Sequence, residues 1–235
     1  QANPVKGLFF WGHAPNSQTR GLEMKRAMDA LDLLVVVDPY PTATAAMAAM
    51  QTEGTVNPNR AVYVLPASTQ FECSGSVTAS NRSVQWREKV IDPLFESLPD
   101  HVIMQAFADK LGFGDEMSKN HKMLTTKFAG KEWREPQIES ILEEINKGLW
   151  TIGYTGHSPD RLKAHMRNMH LFDVRTLRAR AGVDKETGYD MSGDYFGLPW
   201  PCWGNPDMKH PGSPNLYQPN RSVMDGGSPF RARFG

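Results

Sequence analysis

The sequence predicts an α/β fold with a parallel sheet flanked by helices, followed by further helices and a long irregular arm. Three short apolar runs, at residues 7–11, 33–37 and 61–65, are typical of buried strands. The segments between them, about 17–31 and 42–50, carry apolar residues at helical spacing or are rich in alanine. This order of strands and helices predicts a Rossmann-like sheet with right-handed crossovers.

Helix boundaries are predicted from capping residues and from helix-stop signals. These signals place Ser17 or Thr19 at the start of the first helix. They predict a second helix that begins at an Asp100 cap and ends at Gly112. Two more helices are predicted, one over residues 136–147 and one over residues 159–171 after a Ser158 cap.

Composition divides the chain into three regions. Residues 1–112 form the α/β region, with a polar excursion at 67–98, and residues 113–181 are predicted to be helical. Residues 182–235 contain 9 glycines and 7 prolines, too many for regular structure, yet they keep many aromatic side chains. We therefore expect an arm that packs on a neighbouring surface, in this chain or in another polypeptide, and that is mobile without it. The side chains expected to be buried there are Tyr195, Phe196, Trp200 and Trp203.

Charge and cysteine content exclude several classes of protein. The 26 basic residues balance 26 acidic ones, which argues against a dedicated nucleic-acid-binding protein. The longest apolar stretch, near 31–37, is far too short to span a bilayer. Cys73 and Cys202 lack the spacing of a metal site and are interpreted as structural or incidental, so the sequence does not determine the redox compartment.

Two loops at predicted strand ends could bind a ligand. The first, residues 12–18, offers Gly12 for close backbone approach and the amides of Asn16 and Gln18. The second begins with Asp38, a carboxylate suited to ribose hydroxyls or to the N1–H and amine of guanine. The amides could equally be turn formers, and Asp38 a helix cap. Without a G-x-G-x-x-G or P-loop motif, an ordinary dinucleotide site or P-loop is not expected.

A basic stretch in the helical region is interpreted as a solvated helix face, and two histidines there as solvated or hydrogen-bonding groups. His165 and His170 lie on different helix faces, which disfavours a shared metal. The basic stretch could alternatively meet an acidic partner or cofactor phosphates; it comprises Arg161, Lys163, Arg167, Arg175, Arg178 and Arg180.

At the two loops the sequence resembles the molybdopterin oxidoreductase superfamily. The loop Gly12-His13-Ala14-Pro15-Asn16, the segment 36–45 (VVDPYPTATA) and the strand end Val64-Leu65-Pro66 follow that superfamily's order of a G-x-N-P-like turn, a D-x-x-x-T-x-T-A segment and V-L-P. Residues 72–76 resemble its E-K-E-G-T stretch, and Asn81, Arg82 and Gln85 resemble the N, R and Q that follow this stretch. The runs at 150–156, 193–202 and 210–215 resemble the large subunit of respiratory, membrane-associated formate dehydrogenases.

The resemblance implies a cofactor and the residues that bind it. The cofactor is bis(molybdopterin guanine dinucleotide) with molybdenum or tungsten, bound in part by the 1–112 region. The implied contacts are Gly12, Ala14, Asn16, Gln18, Val37, Asp38, Thr42, Ala67, Cys73 and Asp100. Cys73 replaces a frequent lysine, which would remove a charge contact. Ala14 replaces a frequent asparagine, for which Asn16 could substitute.

The resemblance also implies the reaction and the setting. Formate would be oxidised to carbon dioxide and electrons passed to a 4Fe-4S cluster that this chain does not ligate. Catalytic and metal-binding residues, selenocysteine or cysteine among them, are expected outside this chain, which alone is then expected to be inactive. Expected partners are the rest of the large subunit, an iron–sulfur beta subunit and, in some assemblies, a membrane cytochrome b subunit, on the periplasmic side of the inner membrane.

Two other functions remain open at this stage. The chain could be a non-enzymatic α/β interaction module whose aromatic arm docks a partner. It could also belong to the same superfamily but act on nitrate or another oxo-anion.

Overall fold

A three-stranded parallel sheet forms the amino-terminal part of the molecule, as predicted. The computed structural model describes residues 4–13, 20–41, 60–79, 83–148, 158–174, 176–197, 214–215 and 218–222. Strands β1 (Gly7–Trp11), β2 (Leu33–Asp38) and β3 (Ala61–Pro66) pair in that order, with β2 in the centre. The α/β fold class is therefore confirmed.

Helix α1 (Gly21–Asp29) covers one face of the sheet. Phe10, Leu34 and Val36 pack there against Met28 and Leu31, because alternate residues of a strand point to the same face. The predicted cap was wrong: the helix begins at Gly21, and the residue at its N-cap is Arg20, which makes no side-chain cap bond.

Helix α2 (Asp100–Leu111) packs on the opposite face of the sheet. Its Ile103 joins Val35, Val37 and Ala67 in a second apolar cluster. The helix ends at Gly112 in the left-handed conformation, as predicted. Asp100 is not the cap, because Pro99 occupies the N-cap position and Asp100 is the first helical residue.

The polar excursion contains a β-hairpin that sequence patterns did not reveal. Strands β4 (Gly75–Thr78) and β5 (Val84–Arg87) pair antiparallel, and Trp86 of β5 is buried. Beyond them, Leu98 pairs with Ala67 as an isolated parallel bridge at the end of β3. The excursion is thus tied back to the sheet.

The region predicted as helical also contains a hairpin. After the short helix α3 (Gly114–Met117), strands β6 (Met123–Phe128) and β7 (Lys131–Pro136) pair around a two-residue turn. Both turn residues, Ala129 and Gly130, have positive φ, the geometry of a type I′ turn. Helices α4 (Ile138–Gly148) and α5 (Pro159–Arg167) follow near their predicted positions.

Residues 182–197 fold back onto α5 within the same chain. The Ser158 side chain caps α5, as predicted, by accepting a hydrogen bond from the Arg161 amide (3.2 Å). Met191 and Phe196 pack with Ala164 of α5 and with Phe172, just after a short 3₁₀ turn (Met169–Leu171). Phe196 is therefore buried against its own chain; Trp200 and Trp203 lie outside the described residues.

Strands β8 (Pro214–Asn215) and β9 (Gln218–Ser222) form a small separate sheet.

Four side chains of the basic stretch form ion pairs within the chain. The prediction of a solvated face was wrong for Arg161, which is buried, and is confirmed for Arg178 and Arg180, which are exposed. The ion pairs join Arg161 to Asp194 (2.9 Å), Lys163 to Glu139 (2.8 Å), Arg167 to Asp184 (2.6 Å) and Arg180 to Asp173 (3.0 Å). The acidic partners lie up to 33 residues away in sequence, so local patterning could not reveal these pairs. No helix among the described residues is long and apolar enough to span a bilayer.

Candidate ligand-binding site at the strand ends

Backbone hydrogen bonds bring four of the predicted contact residues together at the carboxyl ends of the strands. The Gly12 amide donates to the Val37 carbonyl (2.9 Å), and the Ala67 amide donates to the Asp38 carbonyl (3.2 Å). The side chains of Val37 and Ala67 are buried in the core, so these two residues offer a ligand only backbone atoms. Asp38 is the one residue of the four with a polar side chain.

The Asp38 carboxylate is partly exposed at the end of β2. Its Oδ1 accepts a 3.4 Å hydrogen bond from the Tyr40 amide, so it also supports the turn that follows the strand. Carboxylates at such strand ends are well placed to accept hydrogen bonds from a ligand, because neighbouring parallel strands open a crevice there. The turn role and the binding role are compatible.

Asp100 reaches the same edge through a long-range hydrogen bond. The indole Nε1 of Trp11, the last residue of β1, donates to Asp100 Oδ1 (2.5 Å). The Trp11 ring also lies 6.5 Å from the Phe107 ring of α2. The start of α2 is thereby attached to the end of β1.

Cys73 lies in a different cleft from the strand-end residues. It lines a polar cleft of about 430 Å³ with His101 and Glu135, which form a 2.8 Å contact. Burial raises the pKa of the Cys73 thiol, and the negative charges of Asp100, Glu72 and Glu135 raise it further. At neutral pH the thiol is therefore protonated, which suits neither a nucleophile nor a contact to phosphate.

A second cleft opens beside the ends of β2 and β3. It measures about 420 Å³, and Pro39, Tyr40 and Ala67 line it together with Phe71 and Phe95. The rings of Tyr40, Phe71 and Phe95 are exposed by 66%, 57% and 93%. Flat aromatic surfaces suit a planar ligand, and Asp38 directly precedes Pro39 and Tyr40 of this cleft.

Four predicted contacts, Ala14, Asn16, Gln18 and Thr42, lie outside the described residues. Within the described part of the chain, no three His, Cys, Asp or Glu side chains are grouped so that they could hold a metal ion.

Sequence reasoning missed a buried polar cluster around His165. The His165 Nδ1 accepts a hydrogen bond from the Gly197 amide (3.0 Å), so the ring proton must reside on Nε2, which faces Asp194 Oδ2 at 3.0 Å. Burial lowers the His165 pKa, and the nearby Arg161 charge lowers it further, against the opposing effect of Asp194. The imidazole is thus neutral and structural. The spacing of His165 from Asp194 carries no local signal.

Asp194 is the ionised centre of that cluster. Burial opposes its ionisation, but the hydrogen bonds from His165 and Tyr189 and the charge of Arg161 together lower its pKa. The Tyr189 hydroxyl donates to Asp194 Oδ2 at 2.8 Å. This cluster anchors residues 189–197 and lies apart from the strand ends in sequence and in its contacts.

Comparison with known proteins finds relatives that are named as formate dehydrogenases. No family model matches the chain. It is 31% identical over 160 residues, 68% of its length, to the F420-dependent formate dehydrogenase subunit alpha of Methanocaldococcus jannaschii. A Staphylococcus aureus strain USA300 protein, provisionally named a formate dehydrogenase, is 30% identical over 160 residues. A protein of the bovine S. aureus strain RF122 with the same provisional name is 32% identical over 135 residues.

The matches cover only part of each relative. They span 19% of the archaeal protein and 13% of the USA300 protein. Over about two thirds of its own length, this chain is therefore related to a portion of the formate dehydrogenases.

Proposed function

We propose that this chain is part of a formate dehydrogenase and that its parallel sheet holds the guanosine end of a molybdopterin guanine dinucleotide. The sequence similarity to proteins named as formate dehydrogenases supports the proposal that this chain is part of such an enzyme. The observation that carries the binding role is the Asp38 carboxylate at the carboxyl end of the central strand, beside an aromatic cleft.

The described residues fit the guanosine half of such a cofactor. A carboxylate can accept hydrogen bonds from N1–H and the exocyclic amine of guanine, or from ribose hydroxyls. At Gly12 the backbone has φ +56°, and a Cβ there would meet no atom within 4 Å, so a ligand can approach the main chain. None of the six described contact residues is cationic, so this set suits a nucleoside better than a pyrophosphate.

The chain's task under this proposal is to bind and orient. The bound cofactor supplies the chemistry, in which formate gives up two electrons and a proton to become carbon dioxide. Asp38 and Asp100 hold its nucleoside end, and remote binding of this kind fixes a reactive centre elsewhere. The rest of the large subunit, the iron–sulfur and cytochrome b subunits, the 4Fe-4S cluster and the periplasmic setting belong to the same proposal.

Binding of guanosine diphosphate to the 235-residue chain tests the proposal. Calorimetry should detect binding of guanosine diphosphate and weaker binding of adenosine diphosphate, whose base lacks the donors that Asp38 accepts. Asp38→Asn should weaken binding about 10- to 100-fold, because a hydrogen bond to a charged group is worth about 1.5–3 kcal/mol. Asp32→Asn is the matched control, since Asp32 precedes the same strand at its opposite end.

The alternative, a non-enzymatic interaction module, makes the opposite prediction. Such a module would bind neither nucleotide, and both variants would behave like the wild-type chain. Equal affinity for the guanine and adenine nucleotides would contradict recognition of the guanine base by Asp38. No effect of Asp38→Asn would contradict any binding role of Asp38.

A further inference from the structure

We infer that the Ser68 hydroxyl, just beyond the end of β3, is a further binding group for the guanosine ligand. This inference rests on the proposed function. Ser68 directly follows Ala67 and is 6% exposed. Its Oγ is buried and makes no hydrogen bond, although its amide donates to the Leu98 carbonyl (2.8 Å).

The alternation of the strands places Ser68 on the α1 face of the sheet. Ala67 packs with Val35 and Val37 on the α2 face, so the next residue points the other way. Pairing continues past the end of β3, because the Ser68 amide is bonded to Leu98 and Leu98 pairs with Ala67.

Asp38 and His13 lie on that same face. Asp38 follows Val36 by two residues within β2, and Val36 packs on the α1 side. The His13 ring stacks on Phe10, a member of the same cluster, at 6.3 Å between centroids. Three neighbouring parallel strands thus each end in a polar side chain on one face.

A buried hydroxyl without a partner is costly unless something supplies the missing bond. Leaving a donor and acceptor unpaired in the interior is unfavourable, and native proteins rarely do so without a functional reason. Other buried polar atoms of this chain also lack a partner, among them Trp86 Nε1 and Gln105 Oε1. Ser68 differs from these residues by its position: it directly follows Ala67, whose amide is bonded to the Asp38 carbonyl.

The chemistry of a serine defines what the hydroxyl can bind. It can donate to a ligand oxygen or accept from an O–H or N–H group. A ligand whose donors are taken by Asp38 still has ribose and base oxygens to offer. Ser68 therefore adds a neutral contact that complements the carboxylate.

The test compares ligand affinity with the stability of the free chain. Ser68→Ala should weaken guanosine diphosphate binding about 5- to 10-fold, the value of one neutral hydrogen bond. The same variant should unfold at the same temperature as the wild type or higher without ligand, because it removes an unsatisfied hydroxyl. The matched control is Ser118→Ala: Ser118 is also buried, but its Oγ donates to the Gly114 carbonyl (2.8 Å). That variant should lose stability and keep full affinity.

The outcomes separate this inference from the proposed function. If Asp38→Asn weakens binding and Ser68→Ala does not, the role of Ser68 is overturned while the proposed function stands. A loss of stability in Ser68→Ala as large as that in Ser118→Ala would show a structural partner and also overturn it. Failure of the wild-type chain to bind guanosine diphosphate overturns both.

Discussion

The Gly197 amide donates a hydrogen bond to His165 Nδ1, 32 residues earlier in the chain. The Gly197 carbonyl in turn accepts from the Val84 amide (3.1 Å), so one glycine connects helix α5 to the β4–β5 hairpin. The bond to Nδ1 also excludes a proton from that nitrogen. Charge on His165 would therefore break a contact that joins three parts of the fold.

Stability should fall as the pH is lowered through the ordinary histidine range. Because the His165 pKa is lowered in the folded state, the unfolded chain, with a pKa near 6.5, binds more protons. The free energy of unfolding should therefore decrease between pH 7.5 and 5.5. Urea unfolding of His165→Gln, which cannot be protonated, should show a smaller pH dependence, whereas His170→Gln, at an exposed position, should retain it. The same pH dependence in both variants would assign it to another group.

Gly197→Ala should be strongly destabilising. The residue has φ +63°, and a Cβ would lie 2.6 Å from the Val84 carbonyl oxygen, a backbone atom that cannot move freely. Left-handed strain and overpacking together predict a loss of about 2–4 kcal/mol in urea unfolding. Gly188→Ala has φ +72° but open space around the Cβ, so it should cost about 1 kcal/mol. Equal losses in the two variants would argue against the close contact with Val84.

Asp29→Asn should test a buried ion cluster at the end of α1. The Asp29 carboxylate is fully buried and contacts Lys25 Nζ (2.9 Å) and Arg60 Nη1 (3.0 Å). Burial opposes its ionisation, but Lys25 and Arg60 lower its pKa, so its stabilising effect is lost as the pH falls below about 3.8. Removing the charge takes an acidic partner away from the buried Arg60 and should cost about 3–5 kcal/mol. Asp92→Asn removes an exposed pair with Lys89 and should change the unfolding midpoint little.

Hydrogen exchange should reveal protection in residues 191–197 of the isolated chain. The amides of Met191, Asp194 and Phe196 donate to backbone carbonyls within the chain, and Gly197 donates to His165. This expectation replaces the sequence-based one that the segment is mobile without a partner. A peptide that covers the exposed Val174 supplies the fast-exchanging reference. Exchange of residues 191–197 as fast as that of Val174 would support the earlier expectation.

Sequence patterns predicted the sheet well because its strands are short apolar runs, two of which contain valines. The central strand, with Val35, Val36 and Val37, is buried on both faces, so its continuous apolar run indicated a strand clearly. The hairpin of β6 and β7 was missed because its strands are largely exposed and carry little apolar alternation. Its turn residues, Ala129 and Gly130, were the available signal.

The candidate site was predictable only in part. Asp38 could be found because a carboxylate directly after a strand is a local signal. The attachment of Asp100 to Trp11 spans 89 residues, and the unsatisfied state of Ser68 Oγ depends on everything packed around it. Such features follow from tertiary packing, which no local pattern contains.

The location of α2 has a consequence for synthesis of the chain on the ribosome. Among the described residues, α2 is the helix that packs on the Val35 and Val37 face of β2, and it emerges about 70 residues after Val37. At typical elongation rates this interval lasts roughly 4–15 s. During that time Val35 and Val37 lack the cover of α2, so we expect this stretch to be a chaperone-binding site during synthesis.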